Sequence, residues 1–172
     1  DLLYFRIDRK KKIFVSSLLL ALGYSKQDIV NEYYEKVIYT YDKKLNKWKT
    51  KFNPESFKSK NFSEEVVDAK SGKIVIKLGE KINYLTAKKY FNDGLKEILV
   101  STSSLSGKYL HKDINLGEEI FKIGSELNET IVQKILDKEI YEINVSSTNS
   151  ISKGPYLLQT IFNDKNDTKN DA

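Results

Sequence analysis

The two arginines of this 172-residue chain stand three positions apart, as Arg6 and Arg9, with Asp8 between them. Every other long basic side chain is lysine. A guanidinium is a planar fork that can grip a phosphate or a guanine edge with two hydrogen bonds at once, whereas an ammonium acts as a point charge. A carboxylate beside it can accept from a base amino group. Lys10, Lys11 and Lys12 follow directly and add attraction for any phosphate backbone, of a kind that weakens with salt. Arg6, Asp8, Arg9 and Lys10 are therefore the candidate nucleic-acid-binding residues. The same run also suits a plainer purpose. Asp8 can pair with Arg6 or Arg9 and fasten a strand to the element after it.

Other chemistry is hard to place. The sequence contains no G-x-x-x-x-G-K-[ST], no G-x-G-x-x-G, no H-E-x-x-H and no G-x-S-x-G. Cysteine is absent, so disulfides and thiolate metal sites are excluded, and His111 is the single histidine. Two carboxylate pairs occur, Glu64-Glu65 and Glu118-Glu119. Neighbours on a strand point to opposite faces, so these read as solvated edges. His111 reads as a surface or packing residue. No catalytic residue, metal ligand or cofactor site is expected in these residues.

The elements that position the basic run can be read from pattern. Leu2 to Ile7 is apolar and aromatic, a strand that the Arg6–Arg9 run breaks. Phe14 to Leu22 reads as a short helix ended by Gly23. Ser25 caps the next helix, with Asp28 three residues on and Ile29, Val30, Tyr33 and Tyr34 as its apolar stripe. Glu35–Tyr41 and Lys47–Phe52 form a hairpin across a polar turn, with Trp48 as a packing anchor. Pro54 to Ser63 is a linker, and Glu64–Asp68 and Lys73–Leu78 are strands on either side of a turn. Leu105–Ile114 and Glu118–Ile123 also read as strands. A short element runs from Gly154 through Phe162, and Asn163 to Ala172 reads as a loose polar tail.

An internal repeat organises the middle. Gly72–Ser101 recurs, shifted by 45 positions, as Gly117–Ser146. Gly72 falls on Gly117, Gly79 on Gly124, Asn83 on Asn128 and Ile98 on Ile143. Each copy is followed by G-x-Y-L, at Gly107–Leu110 and Gly154–Leu157. Two copies are too few for a solenoid and suit a pseudo-symmetric pair of strand–turn–helix–strand units.

Length and charge set the frame. One compact domain with an appendage is expected from 172 residues, 40% of them hydrophobic. Net charge is +5, from 29 basic and 24 acidic groups, which is only mildly basic. The longest apolar run, around Leu18–Leu22, is far too short to span a bilayer. The chain has no methionine and opens at Asp1 in mid-pattern, so a piece of a larger protein is expected.

The flanks carry a resemblance. Arg6-Ile7-Asp8-Arg9-Lys10-Lys11-Lys12, Leu18–Tyr24 (LLLALGY), Glu35–Tyr39 (EKVIY) and Gly154-Pro155-Tyr156 come in the order and spacing of the bacterial RNA polymerase β subunit, proteobacterial type. Lys77, Gly79 and Ile82 also fit a K-x-G-x-x-I pattern before a helix. The resemblance covers essentially the whole chain. It departs from the family in composition, with Lys11 and Lys12 at positions where the family uses Arg as well as Lys.

The resemblance implies an α+β fold in which residues 1–34 and 152–172 belong to the β lobe, a wall of the downstream-DNA cleft. Residues 35–151 would be an external domain inserted into that lobe, carrying the repeats 72–101 and 117–146. It implies a part of a nucleotidyltransferase that holds no active site itself, the Mg²⁺ of the whole enzyme being bound by another subunit. The implied partners are the other polymerase subunits, DNA, and regulators docking on the insertion. The implied place is the cytoplasm, with no membrane. It also sets the Arg6–Arg9 segment near the non-template strand. Two other readings compete: a free-standing protein-interaction module built on the repeat, and an independent nucleic-acid-binding domain using tyrosines as a stacking platform.

Overall fold

The computed structural model describes residues 2–8, 11–57, 65–147 and 156–164, with the backbone alone for residues 5–8, 11–16, 56 and 57. In chain order the elements are β1 (Tyr4–Asp8), β2 (Lys11–Phe14), α1 (Val15–Ala21), α2 (Lys26–Tyr33), β3 (Lys36–Asp42) and β4 (Lys47–Lys51). Then come β5 (Val66–Asp68), β6 (Ile74–Ile76), α3 (Tyr84–Asn92), β7 (Glu97–Val100), β8 (Tyr109–Leu110) and β9 (Ile114–Asn115). Last are β10 (Ile120–Phe121), α4 (Glu129–Asp137), β11 (Glu142–Ser146) and α5 (Tyr156–Asn163). The fold is thus the mixed helix-and-strand class expected. Seven strands form an antiparallel sheet in the order β6-β5-β7-β4-β3-β11-β8.

The chain forms two compact units: 1–36 with 107–128 and 144–172, and 37–106 with 129–143. In the second unit β3 and β4 make the expected hairpin, pairing Thr40 with Lys49 and Tyr41 with Trp48. On β4, Trp48 and Thr50 are buried while Lys49 and Lys51 are exposed, the period-two alternation of a strand with one covered face. Trp48 is fully buried, and its indole N–H donates to Thr102 Oγ1 at 3.2 Å, so the bulkiest apolar group brings its one polar atom in satisfied. β4 then pairs with β7, setting Trp48 opposite Val100 and Thr50 opposite Ile98. Asn83 caps α3 by accepting from the Thr86 N–H at 2.9 Å. On α4, Val132 and Ile135 are buried, and Ile131 and Leu136 are half-buried.

In the first unit the core joins Leu20 of α1, Ile29 and Val30 of α2, Tyr34, Ile123, and Leu157, Leu158 and Ile161 of α5. Ser25 caps α2 in a full capping box: its hydroxyl accepts the Asp28 N–H, and the Asp28 carboxylate accepts the Ser25 N–H. Hydrogen bonding to the carboxylate from the Ser25 side chain first, and then from the Ser25 backbone N–H, holds the Asp28 carboxyl below its ordinary range. Tyr33 leaves the expected stripe and is exposed, because α2 stops there and Tyr34 turns extended, at φ −130°.

Three strand expectations change. Lys11–Phe14 is a strand, so Phe14, expected to start the helix, ends β2 instead and α1 begins at Val15, because β1 supplies the strand's backbone partner. Leu105–Ile114 is not one strand. Residues 102–105 make a 3-10 turn, Gly107 takes φ +82°, which extended backbone does not allow, and only two short pairs follow. Glu118–Ile123 likewise keeps only Ile120–Phe121 as strand, ending in a turn at Gly124 with φ +85°. Of the expected Pro54–Ser63 linker, Pro54–Phe57 form a 3-10 turn and the rest lies outside the described residues.

Candidate nucleic-acid interface

The basic run sits on an antiparallel ribbon. β1 and β2 pair Tyr4 with Phe14, Phe5 with Ile13, Arg6 with Lys12 and Asp8 with Lys11. The register slips between Arg6 and Asp8, so two residues of β1 answer one step of β2. Such a bulge bends a strand and re-aims the residues beyond it. Arg6 and Asp8 are thus brought level with Lys12 and Lys11 at the end of one ribbon. Arg9 and Lys10 connect the two strands in sequence and lie outside the described residues.

Several bonds tie this ribbon's neighbours together within the first unit. The Leu3 N–H donates to Thr160 Oγ1 at 2.8 Å, and that hydroxyl donates to the Tyr156 carbonyl at 2.7 Å. α1 follows β2 without a break and packs against α5. Ser17 Oγ donates to Asp164 Oδ2 at 2.7 Å, and Lys26 Nζ donates to the Asp164 carbonyl at 2.8 Å. Asp164 is buried, although its surroundings in sequence read as a loose polar tail. Its role depends on Ser17 and Lys26, more than 130 positions away, and no local pattern announces it. Tyr34 is held in the same core, where burial raises its phenol above the ordinary value against the lowering effect of hydrogen bonds at Leu158 and Leu157.

His111 is a packing residue with a defined network. Its ring is 2% exposed. Asn31 Oδ1 accepts from Gln27 Nε2 at 3.0 Å and lies 2.9 Å from His111 Nε2, so Nε2 carries the ring proton. Nδ1 then accepts from the Ser146 hydroxyl at 2.7 Å. Gln27 Nε2 also donates to the His111 carbonyl at 2.9 Å. Burial chiefly, and then the Lys36 ammonium, hold the imidazole below its ordinary value. Glu118 and Glu119 are exposed, as solvated carboxylates should be, and Glu64 lies outside the described residues. Among the described residues no group of three His, Asp or Glu side chains could hold a metal ion, and no helix is long and apolar enough to cross a membrane.

No family model matches the chain. Curated relatives do match, from end to end. The DNA-directed RNA polymerase subunit beta of Rickettsia rickettsii (strain Sheila Smith) is 39% identical over 175 residues, covering 100% of this chain and 13% of that protein. The subunits of Rickettsia felis and Rickettsia canadensis are 39% identical over 175 and 176 residues, with the same coverage. The matched length takes in the whole chain, flanks and repeat alike. The chain belongs to the DNA-directed RNA polymerase β-subunit family and spans 13% of the length of these relatives.

Proposed function

We propose that these residues serve DNA-templated transcription as a non-catalytic part of the polymerase β subunit, with DNA and the other polymerase subunits as partners. The observation that carries this reading is 39% identity along the entire chain to subunits so named. The relatives' identity covers the flanks as well as the repeat, and therefore does not favour a free-standing interaction module. Residues 1–34 and 152–172 form the lobe part in this reading, and 35–151 the inserted external domain on which regulators dock. That boundary is one of ancestry, and the two compact units are a physical division of the same chain. The repeats 72–101 and 117–146 are related by a pseudo-twofold axis, a view supported by helices α3 and α4 starting 45 positions apart.

Arg6, Asp8, Arg9 and Lys10 face nucleic acid on this proposal. The pairing of Arg6 with Lys12 and Asp8 with Lys11 concentrates charge at one end of a ribbon, the form in which strands approach a groove or a displaced strand. Nucleotidyl transfer itself is left to Mg²⁺ held by another subunit, since two-metal chemistry needs a carboxylate cluster.

Assembly tests the proposal. Tagged full-length protein carrying these residues, expressed in its own cell, should purify with the other subunits of an active polymerase. Purified residues 1–172 given template, nucleoside triphosphates and Mg²⁺ should incorporate nothing. Recovery of the full-length protein alone, or Mg²⁺-dependent incorporation by the pure 1–172 segment, would overturn it.

A further inference from the structure

The chain builds one turn twice. In Lys77–Glu80 the Glu80 N–H donates to the Lys77 carbonyl at 3.0 Å, and in Lys122–Ser125 the Ser125 N–H donates to the Lys122 carbonyl at 3.0 Å. Gly79 and Gly124 take the same left-handed conformation, φ +77° and +85°. Each turn leads into a nine-residue helix, α3 or α4. The exits match too: Leu95 N–H donates to the Tyr90 carbonyl, and Ile140 N–H to the Ile135 carbonyl.

Their surroundings differ. At the second turn Ile123 is 6% exposed and lies in the core with α5. A Cβ on Gly124 would stand 2.7 Å from the Leu158 carbonyl oxygen and 3.2 Å from Phe162 Cβ. The helix backbone comes down onto the glycine, and only a residue without a side chain admits it. At the first turn Leu78 is 64% exposed, and nothing lies within 4 Å of where a Gly79 Cβ would be.

The missing cover has a cause in the chain. Tyr156-Leu157 of the later G-x-Y-L motif opens α5, which supplies the apolar helix. Tyr109-Leu110 of the earlier motif is strand β8 instead, paired with β11 as Tyr109 to Ser146 and Leu110 to Val145. The first copy therefore has no helix of its own at the equivalent place in sequence. Lys77 and Lys81 flank this turn in sequence and are exposed, as are Lys88 and Lys89 in the helix that follows, while the Glu80 carboxylate accepts the Lys77 backbone N–H. Leu85, in the first turn of α3, is 73% exposed.

We propose that the Leu78–Gly79 turn is a docking site for an amphipathic helix of a partner protein. The helix sets an apolar stripe on Leu78, passes its backbone over Gly79 as α5 passes over Gly124, and carries acidic residues toward the flanking lysines. The repeated turn carries this inference independently of the polymerase reading.

The probe is the chain's own solution to the same problem: a fluorescein-labelled, hydrocarbon-stapled peptide of residues 156–164. It is titrated into the full-length protein and followed by anisotropy, with Leu78→Asp and, as a control at another exposed leucine, Leu45→Asp. Both positions are exposed, so both variants keep the fold, which circular dichroism checks. Saturable one-site binding, weakened at least about tenfold by Leu78→Asp and less than about twofold by Leu45→Asp, is expected from loss of one buried leucine contact. No saturable binding, or equal loss in both variants, would overturn the proposal. So would slow amide exchange at 78–80 in the unliganded full-length protein, as slow as at 123–125, because a segment of the same longer protein would then already cover the turn.

Discussion

One proton on the His111 ring is fixed by what its neighbours already do. Asn31 Oδ1 accepts from Gln27, which leaves the ring Nε2 to donate and Nδ1 to receive the Ser146 hydroxyl. Burial and Lys36 then disfavour a second proton. In the unfolded chain the imidazole keeps its ordinary value of about 6.5. As pH falls below that value, the unfolded state binds a proton that the folded state resists. The stabilisation is therefore complete above about pH 6.5 and is lost as pH falls toward the depressed folded value. Denaturant midpoints of wild type and His111→Gln, taken from pH 8 down to 5, should converge as pH falls. Parallel curves would show that His111 does not titrate against the fold. Sequence left this residue as surface or packing, and could not name partners 80 and 35 positions away. The Ser25–Asp28 box was open to reading because both partners lie within one turn.

Turns and helices are set by nearby residues, and here the sequence pattern holds well. α2 opens at its Ser25 cap, the β3–β4 hairpin closes across a polar turn, and Trp48 anchors the sheet. Short strands fare worse, since a strand exists only if another segment offers its backbone. Lys11–Phe14 is charged at its start yet pairs with β1, and Leu105–Ile114 is apolar in part yet breaks at Gly107. The twin glycines give a test at this scale. Gly79→Ala meets only the cost of a left-handed backbone, about 1–2 kcal/mol. Gly124→Ala adds a methyl group 2.7 Å from the Leu158 carbonyl oxygen and should lose a further ~1–3 kcal/mol. Urea unfolding of the two variants side by side checks this. Equal losses would mean that α5 does not press on Gly124.

For the whole molecule, family membership supplies the setting, and the nucleic-acid contact proposed above falls on the β1–β2 ribbon. The order of motifs from Arg6 to Tyr156 was readable at once, whereas the positioning of the ribbon's neighbours depended on contacts such as Thr160 to Leu3 and Asp164 to Ser17. The isolated segment should hold DNA weakly, because five basic side chains without an opposing wall make few phosphate contacts and salt removes much of what they gain. The intact polymerase is therefore the place to measure. Asp8→Ala and Arg9→Ala are made separately, and open-complex lifetime is followed on templates that differ only in the downstream non-template bases. Base contact by the ribbon predicts lifetimes that change with template sequence, since each good base contact discriminates by about 1–3 kcal/mol. An equal change on every template, together with a lowered melting temperature, would contradict it and leave Asp8 as a fastener between the ribbon's own charges.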